Sequence, residues 1–361
     1  MLEIDDTYAT DKDIYDLLLS SKLKLTDKII REFALERGII FSPDDDKRYM
    51  AESLSITPFS YHDIKFLIEK GTINSRQEKL TSTTIKEAKD SEITPLECKK
   101  LLNPMNSHEE SIVSHINKNN ELEVTVRYID IDYSKTALLQ KQKKQFKINI
   151  SKNNNELRLL APANDKSNEI INKLKKAIEE TKKTTLNVEK IDLQPLYEKK
   201  LLSDFFGILI TSIPDNHLDN VTNLRVSNTS KTETSDMNFD EENEDIESAK
   251  ALGMVNDILM KGSNLVSSDE YQTLRKRGYI ITSISWETKE KKDPYNKLSF
   301  SAEFDKENKT FKFLPKGFYS NKNGTYTKSL KPLEDHTKIE LCNLIEQVAK
   351  STIIKLLSDP S

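Results

Sequence analysis

Lysine supplies most of the chemistry this sequence offers. Of 55 basic side chains, 46 are Lys and 9 are Arg. Three groups lie close in sequence: Lys141, Lys143, Lys144 and Lys147; Lys173, Lys175 and Lys176; and Arg275, Lys276 and Arg277. Clustered cations neutralise phosphates and release the counterions condensed on them, so the groups suit a polyanion. Tyr279, Trp286 and Tyr295 follow the last group and would supply stacking faces for bases. Lysine lacks the bidentate fork of arginine, so such contacts hold a backbone rather than read bases. The plainer alternative is that solvated helix faces and loops are simply lysine-rich.

The formal net charge of −4 hides strong segregation. Residues 135–200 carry 16 basic and 8 acidic side chains, 201–270 carry 4 and 14, and 271–361 carry 17 and 11. Two basic blocks thus flank an acidic one. The 361 residues are enough for two or three domains. Cys98 and Cys342 are alone and far apart, which excludes a disulfide scaffold and fits a reducing compartment. The N-terminus shows no basic-then-apolar leader, and Phe205–Ile210 is too short to span a bilayer. A soluble, cytoplasmic protein with no membrane association is expected.

Several chemistries lack their residues. The eight glycines are scattered, and neither a dinucleotide-binding nor a P-loop glycine pattern occurs. Zinc needs paired Cys or His ligands, and neither cysteine has a neighbour. His108 and His115 stand seven apart, not the four of a His-Glu-x-x-His helix. No Gly-x-Ser-x-Gly elbow is present. The expectation is no cofactor and no metal.

Hydrophobic periodicity indicates the elements that would carry the basic groups. Residues 1–71 read as a helical module, with helices starting near Asp11, Thr26, Pro43 and Ser60. Residues 72–120 read as a polar connector with helical fragments at 95–102 and 107–116. Strands are then expected at 122–132, 146–150 and 157–160, followed by a helix over 167–181. The order recurs as strands 279–286, 298–304 and 310–314, a possible fourth strand at Tyr326, and a helix over 332–357. The predicted class is α+β: a helical N-terminal module, then two β-β-β-α units, each an antiparallel sheet covered by an amphipathic helix. The predicted divisions are 1–71, 72–120, 121–226 with an added apolar helix over 193–213, an acidic mobile loop over 227–247, and 248–361. Further helices are expected at 246–261 and 267–277.

Residues 25–54 resemble the SAP-like helix-extended-helix family of small DNA-binding motifs. The matching residues are Leu25, Thr26, Ile30, Phe33, Arg37-Gly38-Ile39, Lys47, Tyr49, Met50 and Leu54. Asp44-Asp45-Asp46 departs from that pattern, since DNA-facing positions favour neutral or basic residues. Glu287-Thr288-Lys289, at the end of an expected strand, resembles the core of PD-(D/E)xK nucleases. That resemblance implies a Mg²⁺ held by carboxylates, with Lys289 orienting a water. Its upstream acid would be a residue such as Asp269 or Glu270.

The leading expectation is a non-catalytic accessory protein that binds nucleic acid, DNA before RNA, in a bacterial or phage-linked defence or processing system. Its contacts would be the ten basic residues above with Trp286. A protein-interaction or scaffold subunit, bound to a protein partner or a second copy, is the alternative. A Mg²⁺-dependent nuclease using Glu287 and Lys289 is the third.

Overall fold

The computed structural model describes residues 8–21, 24–72, 77–86, 93–107, 110–153, 156–228, 257–292, 295–322 and 324–358. The acidic run 240–245, most of the helix expected at 246–261, and His108 lie outside them. The class is α+β, with helices and antiparallel strands throughout. The chain forms two compact units: 1–76, 93–151 and 174–182 in one, and 77–92, 152–173 and 183–361 in the other.

The first unit begins with four helices, α1 (Asp11–Ser20), α2 (Asp27–Glu36), α3 (Lys47–Ser55) and α4 (Tyr61–Gly71). Local signals set their starts, and α3 starts at Lys47 behind the Asp46 cap rather than at Pro43 as expected. Thr10 and Ser60 form capping boxes with Asp13 and Asp63, satisfying amides that a helix start leaves open. Gly38, at φ 77°, turns the chain after α2. Leu17, Leu18, Ile30, Phe33, Met50, Leu54 and Leu67 close a core on the inner faces. Leu139, from the short helix α6 (Ala137–Gln140), inserts into the same core.

Three antiparallel strands complete this unit in the order β2 (Glu110–Ile116), β3 (Leu122–Ile131), β4 (Lys141–Asn153). One face carries Ile112, Leu122, Val124, Val126, Phe146, Ile148 and Ile150, all buried. Helix α5 (Pro95–Leu102) packs on β2 and β3. The second half of α7 (Asp165–Lys182) meets α5 through the Lys182–Glu97 ion pair at 2.7 Å. The helix expected at 107–116 is thus strand β2. Its pairing with β3 overrides a weak helical spacing, because Ile112 gains burial only as part of the sheet.

The second unit contains a larger antiparallel sheet. Its order is β5 (Glu156–Pro162), β1 (Leu80–Lys86), β11 (Thr310–Tyr319), β10 (Lys297–Asp305), β9 (Tyr279–Glu290), β7 (Asn216–Asn228) and β8 (Asp257–Lys261), with β6 (Asn187–Lys190) also along β1. A small hairpin, β12 (Asn321–Lys322) with β13 (Thr325–Tyr326), accommodates the strand expected at Tyr326. The order β3-β4-β5-α7 and its later counterpart β9-β10-β11-α11 (Asp335–Ser358) both appear along the chain.

The apolar stretch 193–213 is two helices, α8 (Gln194–Glu198) and α9 (Leu202–Thr211). They are separated at Lys200, whose φ of 60° ends the first. Residues 257–261, expected in a helix, form β8 and pair with β7. Helix α10 (Asp269–Lys276) matches the helix expected at 267–277. Phe205, Phe206 and Leu209 of α9 join Trp286, Phe300, Phe311 and Phe313 of the sheet and Leu341 and Ile345 of α11 in one core.

One buried ion pair fastens α11 to the sheet. The Arg158 Nε donates to Glu346 at 2.5 Å, and Lys350 approaches the same carboxylate at 2.8 Å. Arg158 is 8% exposed and Glu346 4%. Burial pushes the Glu346 carboxyl up, but the Arg158 charge and the Lys350 bond outweigh it and hold its pKa below the usual range. A lowered carboxylate pKa stabilises the fold above the unfolded value, and the stabilisation fades as pH falls through the folded one. Arg158→Leu should therefore cost about 3–5 kcal/mol, because it leaves Glu346 buried and without its main partner. Urea denaturation at pH 7 checks this. The gap between wild type and variant should narrow as the pH is lowered through the acid range, once Glu346 is protonated in both.

Candidate nucleic-acid interface

Strand alternation distributes the first basic group. Lys141, Lys143 and Lys147 share a face of β4 with Gln145 and Asn149. Across the ladder that face continues as Ile131, Ile129, Arg127, Thr125 and Glu123 of β3, then as Ser111, Val113 and His115 of β2. It is the uncovered side of the sheet: Lys141, Lys143, Arg127 and His115 are exposed, as are Val113 at 53% and Ile131 at 46%. Lys147 is held by Glu123 at 2.9 Å, and Arg127 donates to Gln145 at 2.9 Å. Lys144 has the opposite parity and pairs with Asp130 at 2.6 Å, so it does not belong to this face.

The other basic residues are divided. On α7, Lys173 pairs with Glu169 at 2.6 Å and Lys175 with Glu179 at 3.7 Å, both one helical turn away, while Lys176 is exposed. At the end of α10, Arg275 pairs with Asp204 at 2.8 Å, and Lys276 and Arg277 are exposed. Arg127 was not singled out in the sequence. Its signal was its position two residues from Thr125 and Ile129 on an alternating strand.

The aromatic part of the expected site is corrected. Trp286 is wholly buried and stacks on Phe300 with ring centroids 5.3 Å apart, and Tyr279 is 4% exposed. The core takes both rings because β9 is sandwiched between β7 and β10 and turns this face inward. Tyr295 is 50% exposed. In the helix-extended-helix segment Lys28 and Arg48 are exposed, while three other cations of the module bind main-chain carbonyls. Arg31 donates to the Ser42, Pro43 and Asp45 carbonyls, Lys47 to the Leu25 carbonyl, and Arg37 to the Pro58 carbonyl while lying over the Phe59 ring. Asp46 caps α3 by accepting from the Tyr49 amide, and Asp45 accepts from the Ser42 amide. These groups brace the loops of the module.

The nuclease-like group has its upstream acid elsewhere than expected. Asp269 and Glu270 lie in the first turn of α10. The carboxylate beside Glu287 and Lys289 is Asp219, on the adjacent strand β7. Its two oxygens meet Lys289 at 2.5 Å and Lys297 at 2.7 Å, and Glu287 meets Lys297 at 3.4 Å. Lys297 therefore occupies the place between two carboxylates where a divalent ion would sit. Burial raises the Asp219 carboxyl, but hydrogen bonds from Lys289 and Lys297 overcome it and set its pKa below the ordinary value. Burial lowers the Lys297 amine, and the bond to Asp219 lifts it above its usual value, so it stays charged. Among the described residues no group of three or more His, Cys, Asp or Glu is placed to hold a metal. Burial pushes both cysteine thiols up to about 12, which keeps Cys98 and Cys342 protonated and unreactive.

No protein-family model and no curated protein matches the chain. Among the described residues no helix is long and apolar enough to cross a membrane.

Two outcomes follow from these placements. Trp286→Ala should lower stability by about 3–5 kcal/mol, as large-to-small core changes do, and leave the low-salt affinity of the folded fraction for oligonucleotides unchanged. Chemical denaturation beside a binding titration separates the two effects. Mg²⁺ at millimolar concentration should give the same background plasmid nicking with wild type and Lys289→Ala.

Proposed function

We propose that the protein binds the phosphate backbone of nucleic acid on the open face of the β2-β3-β4 sheet. The observation that carries this reading is the row Lys141, Lys143 and Lys147 on one face of β4, spaced about 7 Å and then about 13 Å, with Arg127 opposite Gln145 in the gap. Among the described residues no helix covers that face, so an extended strand of nucleic acid has a flat path across it. Lysine amines are point charges that hold phosphates without reading base edges, so recognition is sequence-tolerant. The face carries Val113, Ile129, Ile131 and Thr125 where base-stacking sheets carry aromatics, so affinity comes mainly from charge. DNA is the first candidate ligand, and an accessory role in a defence or processing system is part of the same proposal.

A second reading rests on the helical module. Leu35, Ile40, Ile56 and Tyr61 are 61%, 84%, 73% and 57% exposed, all near the turn that Arg37 braces against Thr57 and Pro58. Apolar side chains left open together suit a protein partner, which favours the scaffold alternative.

Fluorescence anisotropy with a single-stranded oligonucleotide at several salt concentrations tests the main reading. Binding should weaken linearly on a log–log salt plot. The Lys141→Gln, Lys143→Gln double variant should lower the slope by about 1.4 and weaken affinity roughly tenfold at low salt. Lys144→Gln, on the other face, should change neither. Absence of binding at low salt, or equal loss from Lys144→Gln, would remove the proposal.

A further inference from the structure

The large sheet ends on β8, and among the described residues no strand pairs with its outer side. β8 faces β7 in regular register, from Asn223 opposite Lys261 to Ser227 opposite Asp257. The ladder continues one step further, where the Gly262 amide donates to the Thr222 carbonyl at 3.1 Å. Bonded and non-bonded pairs alternate along an antiparallel ladder. Ile258 and Met260 therefore spend their amides and carbonyls on β7, while those of Asp257, Leu259 and Lys261 point off the edge.

The side chains alternate as well. Ile258 and Met260 pack on the aromatic core and are half-buried at its margin. Asp257, Leu259 and Lys261 are exposed on the other face, Leu259 at 52%. Asp257 meets Lys306 at 3.5 Å, and among the described residues Lys261 has no acid within ion-pair distance.

Edge strands are protected by shortness and by lysines, whose charge an approaching strand would have to desolvate. β8 has both features, so a generic strand is disfavoured there. A second β8 is not. Running antiparallel with Leu259 opposite Leu259, it sets Asp257 against Lys261 and Lys261 against Asp257. Opposite charges in facing positions attract, and like charges repel. In the same register Ile258 faces Met260, so the half-buried margin of each core is covered by its copy. Each outward residue faces another outward residue, so every such pair exchanges both main-chain bonds. A shift of two residues in either direction leaves both charges facing uncharged residues.

We propose that β8 docks a second copy of this chain, the two copies associating about a two-fold axis at Leu259 and joining their large sheets. The association belongs to the weak, reversible class, because a five-residue edge buries well under the ~1,000 Å² of a stable interface. It is independent of the lysine face on the smaller sheet.

Sedimentation velocity of the full chain tests this, over about 1 to 300 µM, a range that brackets weak association. The wild type should show a monomer–dimer equilibrium. Leu259→Pro removes an amide that points off the edge, so pairing with β7 survives. It should weaken the dimer about tenfold, through loss of a symmetric pair of main-chain bonds, and retain the thermal melting profile. Asp257→Lys and Lys261→Asp each set like charges opposite one another, and each alone should stay monomeric. Mixed one to one, the two variants again match opposite charges at both ends and should form a heterodimer. A folding defect gives no such recovery. A wild-type mass independent of concentration, as expected if another strand of the same chain occupies the edge, would overturn the proposal. So would a dimer indifferent to Leu259→Pro, or charge variants that stay monomeric when mixed.

Discussion

Successive side chains of a β-strand point to opposite faces, and a one-residue change of register exchanges them. The β2-β3-β4 sheet buries one face, so this alternation decides which of its charges reach solvent. On β4 it sends Phe146, Ile148 and Ile150 inward, and that fixes Lys141, Lys143 and Lys147 on the outer side. The same rule removes Lys144 from the group, although it is the next residue after Lys143 in the chain. In the larger sheet the aromatic side chains of β9, β10 and β11 claim one face, and ionic and hydroxyl groups take the other.

The two polar faces are handled differently. On the smaller sheet, the groups lie nearer to solvent, where an ion pair such as Lys147–Glu123 contributes little. On the larger sheet, the groups are partly withdrawn from water. Charges there need partners, and Asp219, Glu287, Lys289 and Lys297 satisfy one another. A site so balanced within itself has little field left to attract a metal ion. Proximity of acids in space is therefore insufficient evidence for metal chemistry when a lysine already lies between them.

The strongly periodic elements were legible in the sequence. Helices α1 to α4, strands β3 to β5 and β9 to β11, and the helices α7 and α11 all follow their hydrophobic spacing. What failed had a physical cause in each case. Strand β1, Leu-Thr-Ser-Thr-Thr-Ile-Lys, is buried on both faces by Ser and Thr and shows no alternation to detect. Strand β8 has pairing with β7 as its determinant, a long-range contact with no local trace. The break between α8 and α9 depends on a left-handed lysine, which composition does not announce. For the interface, the lysine row was visible as a cluster, and its helical pairs Lys173–Glu169 and Lys175–Glu179 follow from spacing. The partners Asp130, Glu123 and Asp204 come from other elements. Trp286 was misread because an aromatic after a basic turn has the same sequence signature whether its strand is central or at an edge.

Lys316 shows where the alternation rule itself is broken. A regular β11 would have given Lys316 a partner across β10 and a direction set by the pleat. A bulge at Lys316 adds a residue, turns the amine along the sheet, and leaves it to the neutral Ser285 hydroxyl. An ammonium in that position loses water and gains no carboxylate, so its charged form is the disfavoured one. The fold commits Glu287 and Glu303 to Lys297 and Lys79, and burial holds the Lys316 pKa below its ordinary value.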